Sequence, residues 1–197
     1  MKKLWFSWED FTKYDGFKET WSEKITTDLK IAAGRPVFRG TRVGVWFALD
    51  YFAFEAPLGK IARSLIRHYG KAFTKENLEA ALAFASDILK AVAVKDKKMK
   101  KLVFSWKDFV EYGENKKIWE KKIAANPNIA VGKPVLCGSR VGVCFALGYI
   151  SFEAPLSKIA KVLVRNYGKV FTKENLEAAL TFAADVLRVI KLETVKR

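Results

Sequence analysis

Four cations stand at helical spacing in this sequence, and the same four positions recur further along. Lys60, Arg63, Arg67 and Lys71 lie three or four residues apart, and Lys158, Lys161, Arg165 and Lys169 repeat the arrangement about 98 residues later. On a helix this spacing aligns the side chains along one face. No Asp or Glu interrupts either segment to neutralise the row. Cations in such a line suit successive phosphates, each contact releasing condensed counterions, so the chemistry expected is salt-sensitive binding of a nucleic acid. A second basic group comprises Arg35, Arg39 and Arg42, with Lys133, Cys137 and Arg140 as counterparts. Arg42 and Arg140 stand in Gly-Thr-Arg and Gly-Ser-Arg turns. Glycine there permits close backbone approach, and the arginine offers either a phosphate fork or a tie to the turn's own carbonyls.

Groups for covalent chemistry are sparse. His68 is the only histidine and its counterpart is Asn166, so no general base is present in both copies. Cys137 and Cys144 correspond to Arg39 and Trp46, which favours free thiols in a reducing compartment over a disulfide or a metal site. No Cys/His cluster has zinc spacing, and no GxxxxGK[ST] phosphate loop occurs. Glu76, Glu79 and Asp87 could suggest acid/base or metal work, but two of them fall in the first turns of a helix, where negative charge favours the dipole. A non-enzyme without cofactor or metal is the expectation.

The spacing of the cations reflects a repeat that runs through the chain. Shifted by about 98 positions, the sequence overlays itself without a gap, and about 56 positions are identical. GRPVFRGTRVGV at 34–45 returns as GKPVLCGSRVGV at 132–143, and FTKENLEAAL at 73–82 returns unchanged at 171–180. Residues 1–98 form the first repeat, with a core at 25–92, and residues 99–197 the second, with a core at 123–190. The junction at 94–101 is a short charged run, too brief for a floppy tether. A residue required by both copies must persist in both, so singletons such as His68 lose weight.

Bulk composition agrees with polyanion binding. The net charge is +15, and it divides into about +6 and +9 between the repeats rather than residing in a tail. Half of the 197 residues are hydrophobic, enough for small domains to close a core. No run of about 18 apolar residues escapes a charge, and the first ten residues lack the long apolar stretch of a signal peptide, so a cytoplasmic protein is expected. Abundant lysine and the absence of glutamine fit a thermophile.

Each repeat reads as a small helical bundle with a short β element. Ser7 and Ser105 cap a short helix, and an extended arm passes through Ile25 and Ile31 to the Gly/Pro-punctuated segment at 34–45. An apolar helix follows over Val45–Phe54. Residues 58–69 carry an apolar stripe at Leu58, Ile61, Ala62, Leu65, Ile66 and Tyr69 and stop at Gly70. Thr74 caps the longest helix, Lys75 to about Val94, with Leu78, Ala81, Leu82, Ala85, Ile88 and Leu89 inward. That helix is acidic and Ala-rich, a poor reader of a DNA groove. Trp5, Phe6, Trp8, Phe11, Tyr14 and Trp21, with Phe104, Trp106, Phe109, Tyr112 and Trp119, should pack the N-terminal arm onto the bundle; base stacking by exposed members is the alternative.

The pattern at 34–45, the helix after it, LGKIA at 58–62, Tyr69-Gly70 and TKENLEAAL at 74–82 together resemble the domain-of-unknown-function family numbered 433, over about 25–92 and 123–190. The resemblance implies tandem homeodomain-like or winged helix-turn-helix three-helix bundles. It also implies kinship with VapB-type antitoxins, DNA-binding partners of PIN-domain toxins. This sequence differs in its tandem fusion, its aromatic N-terminal extensions and its brief end after Lys191. Two functions remain open on these grounds. The first is an RNA- or ribosome-binding factor that inhibits translation under stress, favoured by divergence at 39/137, 46/144 and 68/166. The second is a DNA-binding regulator, or an antitoxin partnering a PIN-domain toxin, favoured by the family; beside these, a protein-binding antitoxin or scaffold would need an apolar partner surface around Trp46 and Tyr51. In either case the chain is expected to be a monomer that forms an internal pseudo-dimer.

Overall fold

In each repeat a single helical turn ahead of a short hairpin buries a tryptophan. The computed structural model describes residues 5–6, 18–52, 66–67, 69–91, 115–126, 128–150 and 156–192. A short strand β1 (Trp5–Phe6) precedes α1 (Lys18–Trp21), β2 (Ile25–Thr26), β3 (Val37–Phe38), α2 (Val45–Phe52) and α3 (Lys75–Ala91). The second repeat runs α4 (Lys116–Trp119), β4 (Ile123–Ala124), β5 (Val135–Leu136), α5 (Val143–Gly148), α6 (Leu156–Tyr167), α7 (Lys173–Val189) and β6 (Lys191–Leu192). The protein is mainly helical, and the strands pair two by two: β2 with β3, β4 with β5, and β1 with β6. The expected caps at Ser7 and Ser105, the junction at 94–101 and His68 lie outside the described residues.

The hairpins follow from turn chemistry. Ile25 stands opposite Phe38, and Ile123 opposite Leu136, in antiparallel pairs whose inward residues are all buried. The Gly-Thr-Arg and Gly-Ser-Arg turns need a left-handed residue, supplied by Gly40 (φ 75°) and Gly138 (φ 74°). A Cβ at either would meet nothing within 4 Å, so these glycines serve the turn and not a close backbone approach. The Thr41 and Ser139 hydroxyls close the turns, donating to the Phe38 and Leu136 carbonyls at 2.8 Å and accepting from the Val43 and Val141 N–H groups. No hydrogen bond of Arg42 or Arg140 ties a turn carbonyl among the described residues. The role expected of the arginines belongs to their hydroxyl neighbours.

Helix limits agree with the sequence signals. Thr74 and Thr172 cap α3 and α7, each hydroxyl accepting from the N–H three residues on at 3.3 Å. Gly168 (φ 96°) ends α6, and Gly70 (φ 71°) occupies the matching place. Leu156, Ile159, Ala160 and Leu163 of α6 are buried, which is the i, i+3, i+4, i+7 stripe. Ile66 and Tyr69, both read into that stripe in the first repeat, are instead exposed, as is Tyr167, the counterpart of Tyr69; the chain turns away at Gly70 and Gly168 immediately after the two tyrosines. All six inward residues expected of α3 are buried.

The packing between helices crosses the repeats. Helix α2 of the first repeat packs chiefly on α7 of the second, and α5 of the second packs chiefly on α3 of the first. The buried residues of both repeats therefore form one continuous cluster. Surrounded in this way, α7 is buried almost without interruption from Leu176 to Leu187, and its alanines let neighbouring helices approach closely. Each buried Leu, Ile or Phe contributes about 1.5–3 kcal/mol of transfer free energy to this joint core.

Two tryptophans fix the N-terminal turns to it. Trp21 Nε1 donates to Asp87 at 2.9 Å, and Trp119 Nε1 to Asp185 at 2.8 Å, while each ring meets a phenylalanine edge-on, Phe84 or Phe182. The arm aromatics were expected to pack inward, and these two do. The side chains of the other arm aromatics lie outside the described residues. Asp87, considered above as acid/base or metal chemistry, is a buried acceptor for an indole and for Lys90 at 2.9 Å.

Candidate nucleic-acid interface

Because α6 buries one stripe, its opposite face carries the cations into solvent. Lys158, Lys161 and Arg165 are exposed along that face, and Lys169 is exposed in the turn after Gly168. Their rises along the axis are about 4.5 Å from Lys158 to Lys161 and about 6 Å from there to Arg165. None of the four enters an ion pair among the described residues, whereas Lys75, Lys116 and Lys173 each pair with a glutamate four residues on. In the first repeat Arg67 is exposed. Lys60 and Arg63 lie outside the described residues, as does the side chain of Lys71.

The second basic group divides. Arg42 and Arg140 are exposed at the tips of the turns. Arg39 donates from Nε to the Glu23 carbonyl at 2.8 Å and from Nη2 to the Ser22 carbonyl at 3.0 Å, which clamps α1 to the hairpin. Cys137, its counterpart, cannot do this. The Arg35 guanidinium sits 5.7 Å from the centroid of the Trp46 ring, and that ring occupies the space over Gly44 where a Cβ would come within 2.1 Å of it. Lys133 is half-buried beside Cys144, where burial pushes the thiol up and Lys90 and Lys133 oppose the shift. Cys137 and Cys144 are both free.

An aromatic cluster at the end of the basic helix was not anticipated. Phe145, Tyr149, Tyr167 and Phe171 meet with ring centroids 4.8 to 6.3 Å apart. Phe47, Tyr51, Tyr69 and Phe73, their counterparts, meet at 4.9 to 5.9 Å. The Tyr167 phenol beside Tyr149, then burial, raises the Tyr149 pKa. Burial, followed by the charge and hydroxyl of Tyr69, raises that of Tyr51. The signal was present in the sequence: Phe47/Tyr51 and Tyr69/Phe73 are spaced four apart and are retained without change in the second repeat. At helical spacing an aromatic reads as core, as Tyr69 does in the stripe at 58–69.

The long helices do not present a reading surface. Their exposed first-turn residues Glu76 and Glu174 are acidic, with pKa values lowered by hydrogen bonds from their own backbone N–H and from Thr74 or Thr172. Among the described residues no group of His, Cys, Asp and Glu is placed to hold a metal ion, and no helix is long and apolar enough to cross a membrane.

Residues 25–85 match the model of a family described as a protein of unknown function (DUF433). The match covers the hairpin, the Gly34–Val45 segment, α2 and most of α3, and supports the resemblance in that part of the chain. No curated protein and no solved structure matches the chain.

Proposed function

We propose that this chain is a non-catalytic nucleic-acid-binding protein that grips structured RNA, with ribosomal RNA the abundant polymer of that kind, and that it acts as a translation-inhibiting or stress factor. The observation that carries the reading is the outward face of α6 and the turn after it, where Lys158, Lys161, Arg165 and Lys169 stand exposed with no carboxylate partner among the described residues. A net charge of +15 adds long-range attraction for any polyanion. RNA is favoured over a palindromic DNA site because the two repeats carry different residues at 39/137, 46/144 and 68/166, and because the long helices α3 and α7 are largely buried and acidic at their first turns.

A DNA-binding regulator, or a VapB-type antitoxin with a PIN-domain toxin as partner, is the second reading. The order of α5 and then outward-facing α6 favours it, since α6 would occupy the place of the recognition helix in tandem winged helix-turn-helix units. Tandem duplication of the matched family domain belongs to either reading.

Affinity capture of the full chain from native lysate, with sequencing of the co-purified nucleic acid, separates them. Recovery of rRNA supports the first reading, and a discrete genomic fragment the second. The triple variant Lys158→Glu, Lys161→Glu, Arg165→Glu should weaken binding at least tenfold and flatten its dependence on log salt by about 0.7–0.9 per lost contact. Unchanged affinity and slope would remove α6 from the interface.

A further inference from the structure

We infer that Tyr69 and Tyr167 are stacking platforms for unpaired bases, so that the RNA bound by this protein is held at a loop, bulge or single-stranded segment rather than along a duplex. The inference rests on the RNA reading above and specifies which part of the RNA is gripped.

Tyr69 and Tyr167 are 46% and 52% exposed, although they belong to clusters whose inner members, Phe73 and Phe171, are 0% and 1% exposed. The large hydrophobic side chains exposed among the described residues also include Leu29, Ile66, Ile118, Phe145 and Val162, but the two tyrosines alone occupy the same place in both repeats. A phenol directed at solvent would ordinarily be a mobile ring. Here each is held by ring contacts, Tyr167 to Tyr149 at 5.1 Å and to Phe171 at 6.0 Å, and Tyr69 to Phe47 at 5.1 Å and to Phe73 at 5.8 Å. A half-exposed ring whose orientation is set beforehand loses little conformational freedom when a partner settles on it.

The neighbouring charges define that partner. Arg165 and Lys169 lie two residues before and two after Tyr167, both exposed, and Arg67 stands likewise before Tyr69. A flat apolar surface bracketed by cations matches a ligand that alternates flat rings with phosphates. A duplex shows its edges and backbone but hides the faces of its bases, so only unpaired nucleotides can use such a ring. An apolar protein surface would gain nothing from the bracketing cations.

The test compares full-length wild type, Tyr69→Leu/Tyr167→Leu and Tyr69→Phe/Tyr167→Phe on a 12-nucleotide oligouridine and a blunt RNA duplex of about equal charge, by fluorescence anisotropy over a series of salt concentrations. The Leu pair should lose about tenfold or more on the single strand and less than about twofold on the duplex, with the salt slope unchanged. The Phe pair keeps the rings and removes the hydroxyls, and should retain most of the single-strand affinity even if the Leu pair is poorly folded. Equal losses on both RNAs, no loss on the single strand, or a Phe pair as weak as the Leu pair would overturn the inference. Wild type that binds duplex but not oligouridine overturns it while leaving the RNA reading in place. Wild type that binds neither removes both.

Discussion

The Asp50 carboxylate receives the Arg188 guanidinium from 138 residues further along the chain. Asp50 lies on α2 and Arg188 in the last turn of α7, so this ion pair joins the two repeats at the place where their helices exchange partners. Arg188 also donates to Asp185 at 3.1 Å, and the Asn115 side-chain amide reaches Asp50 at 3.1 Å and Asp185 at 3.2 Å. The pseudo-equivalent place holds Gly148 opposite Lys90 and has no carboxylate to mirror Asp50.

Removing Asp50 leaves Arg188 and Asn115 partly buried without that acceptor, and removing Arg188 leaves Asp50 and Asp185 without that donor. Asp50→Ala is expected to destabilise the protein by about 1–3 kcal/mol, as is Arg188→Ala, with a coupling of at least about 0.5 kcal/mol in the double-mutant cycle. Urea denaturation of the four proteins measures it. Additive effects would mean that the pair contributes nothing beyond its separate contacts.

Asp185 should leave a pH signature of unusual sign. Its burial raises the pKa above the ordinary 3.8, opposed by Trp119, Asn115 and Arg188, so folding favours the protonated form. A raised folded-state pKa contributes most below the unfolded value and is lost as pH rises through the folded one. The stability of wild type relative to Asp185→Asn should therefore be greatest below about pH 3.8 and decline as pH increases toward neutrality. Glu76 and Glu174 act oppositely: their lowered pKa values favour folding above the ordinary 4.5 and lose that contribution as pH falls. Denaturation of both proteins from about pH 3 to pH 7 tests the sign, and a gap that widens toward neutral pH would contradict it.

Glycines in equivalent helices should respond differently to alanine. Gly148 ends α5 beside a cavity of about 150 Å³ lined by Ser86, Leu82 and Ile150, and an added Cβ there meets nothing within 4 Å. Gly148→Ala is expected to stabilise by about 0.5–1 kcal/mol through reduced freedom of the unfolded chain. Gly44→Ala would displace the Trp46 ring and the Arg35 stacked near it, and should cost more than Gly142→Ala, where the nearest atom is Cys144 Sγ at 3.2 Å. Thermal midpoints of the three variants rank these outcomes, and a destabilised Gly148→Ala would contradict the open space.

The amphipathic helix at 156–167, the threonine caps, the glycine stops and the hairpins were legible because each depends on a few adjacent residues. Leu156, Ile159, Ala160 and Leu163 define a face by spacing alone, and the exposure of Lys158, Lys161 and Arg165 follows from it. Arg39 was less legible. Its use as a clamp for the Ser22 and Glu23 carbonyls depends on how α1 folds back against the hairpin, and the arginine type fits a phosphate equally well. Tyr69 was less legible for a related reason: periodicity assigns it to the buried stripe, but the left-handed turn at Gly70 carries the chain away directly after it.

By itself, then, the sequence determined the local elements and the placing of charge on α6, since helix periodicity and turn chemistry operate over a few residues. Which long helix would cover α2 was decided only by the tertiary structure. TKENLEAAL stands at the start of both α3 and α7, so the apolar pattern of α2 is satisfied by either. The choice falls to long-range terms: the fit of each short helix against the opposite long one, and the Asp50–Arg188 pair that exists across the repeats and has no counterpart on the other side.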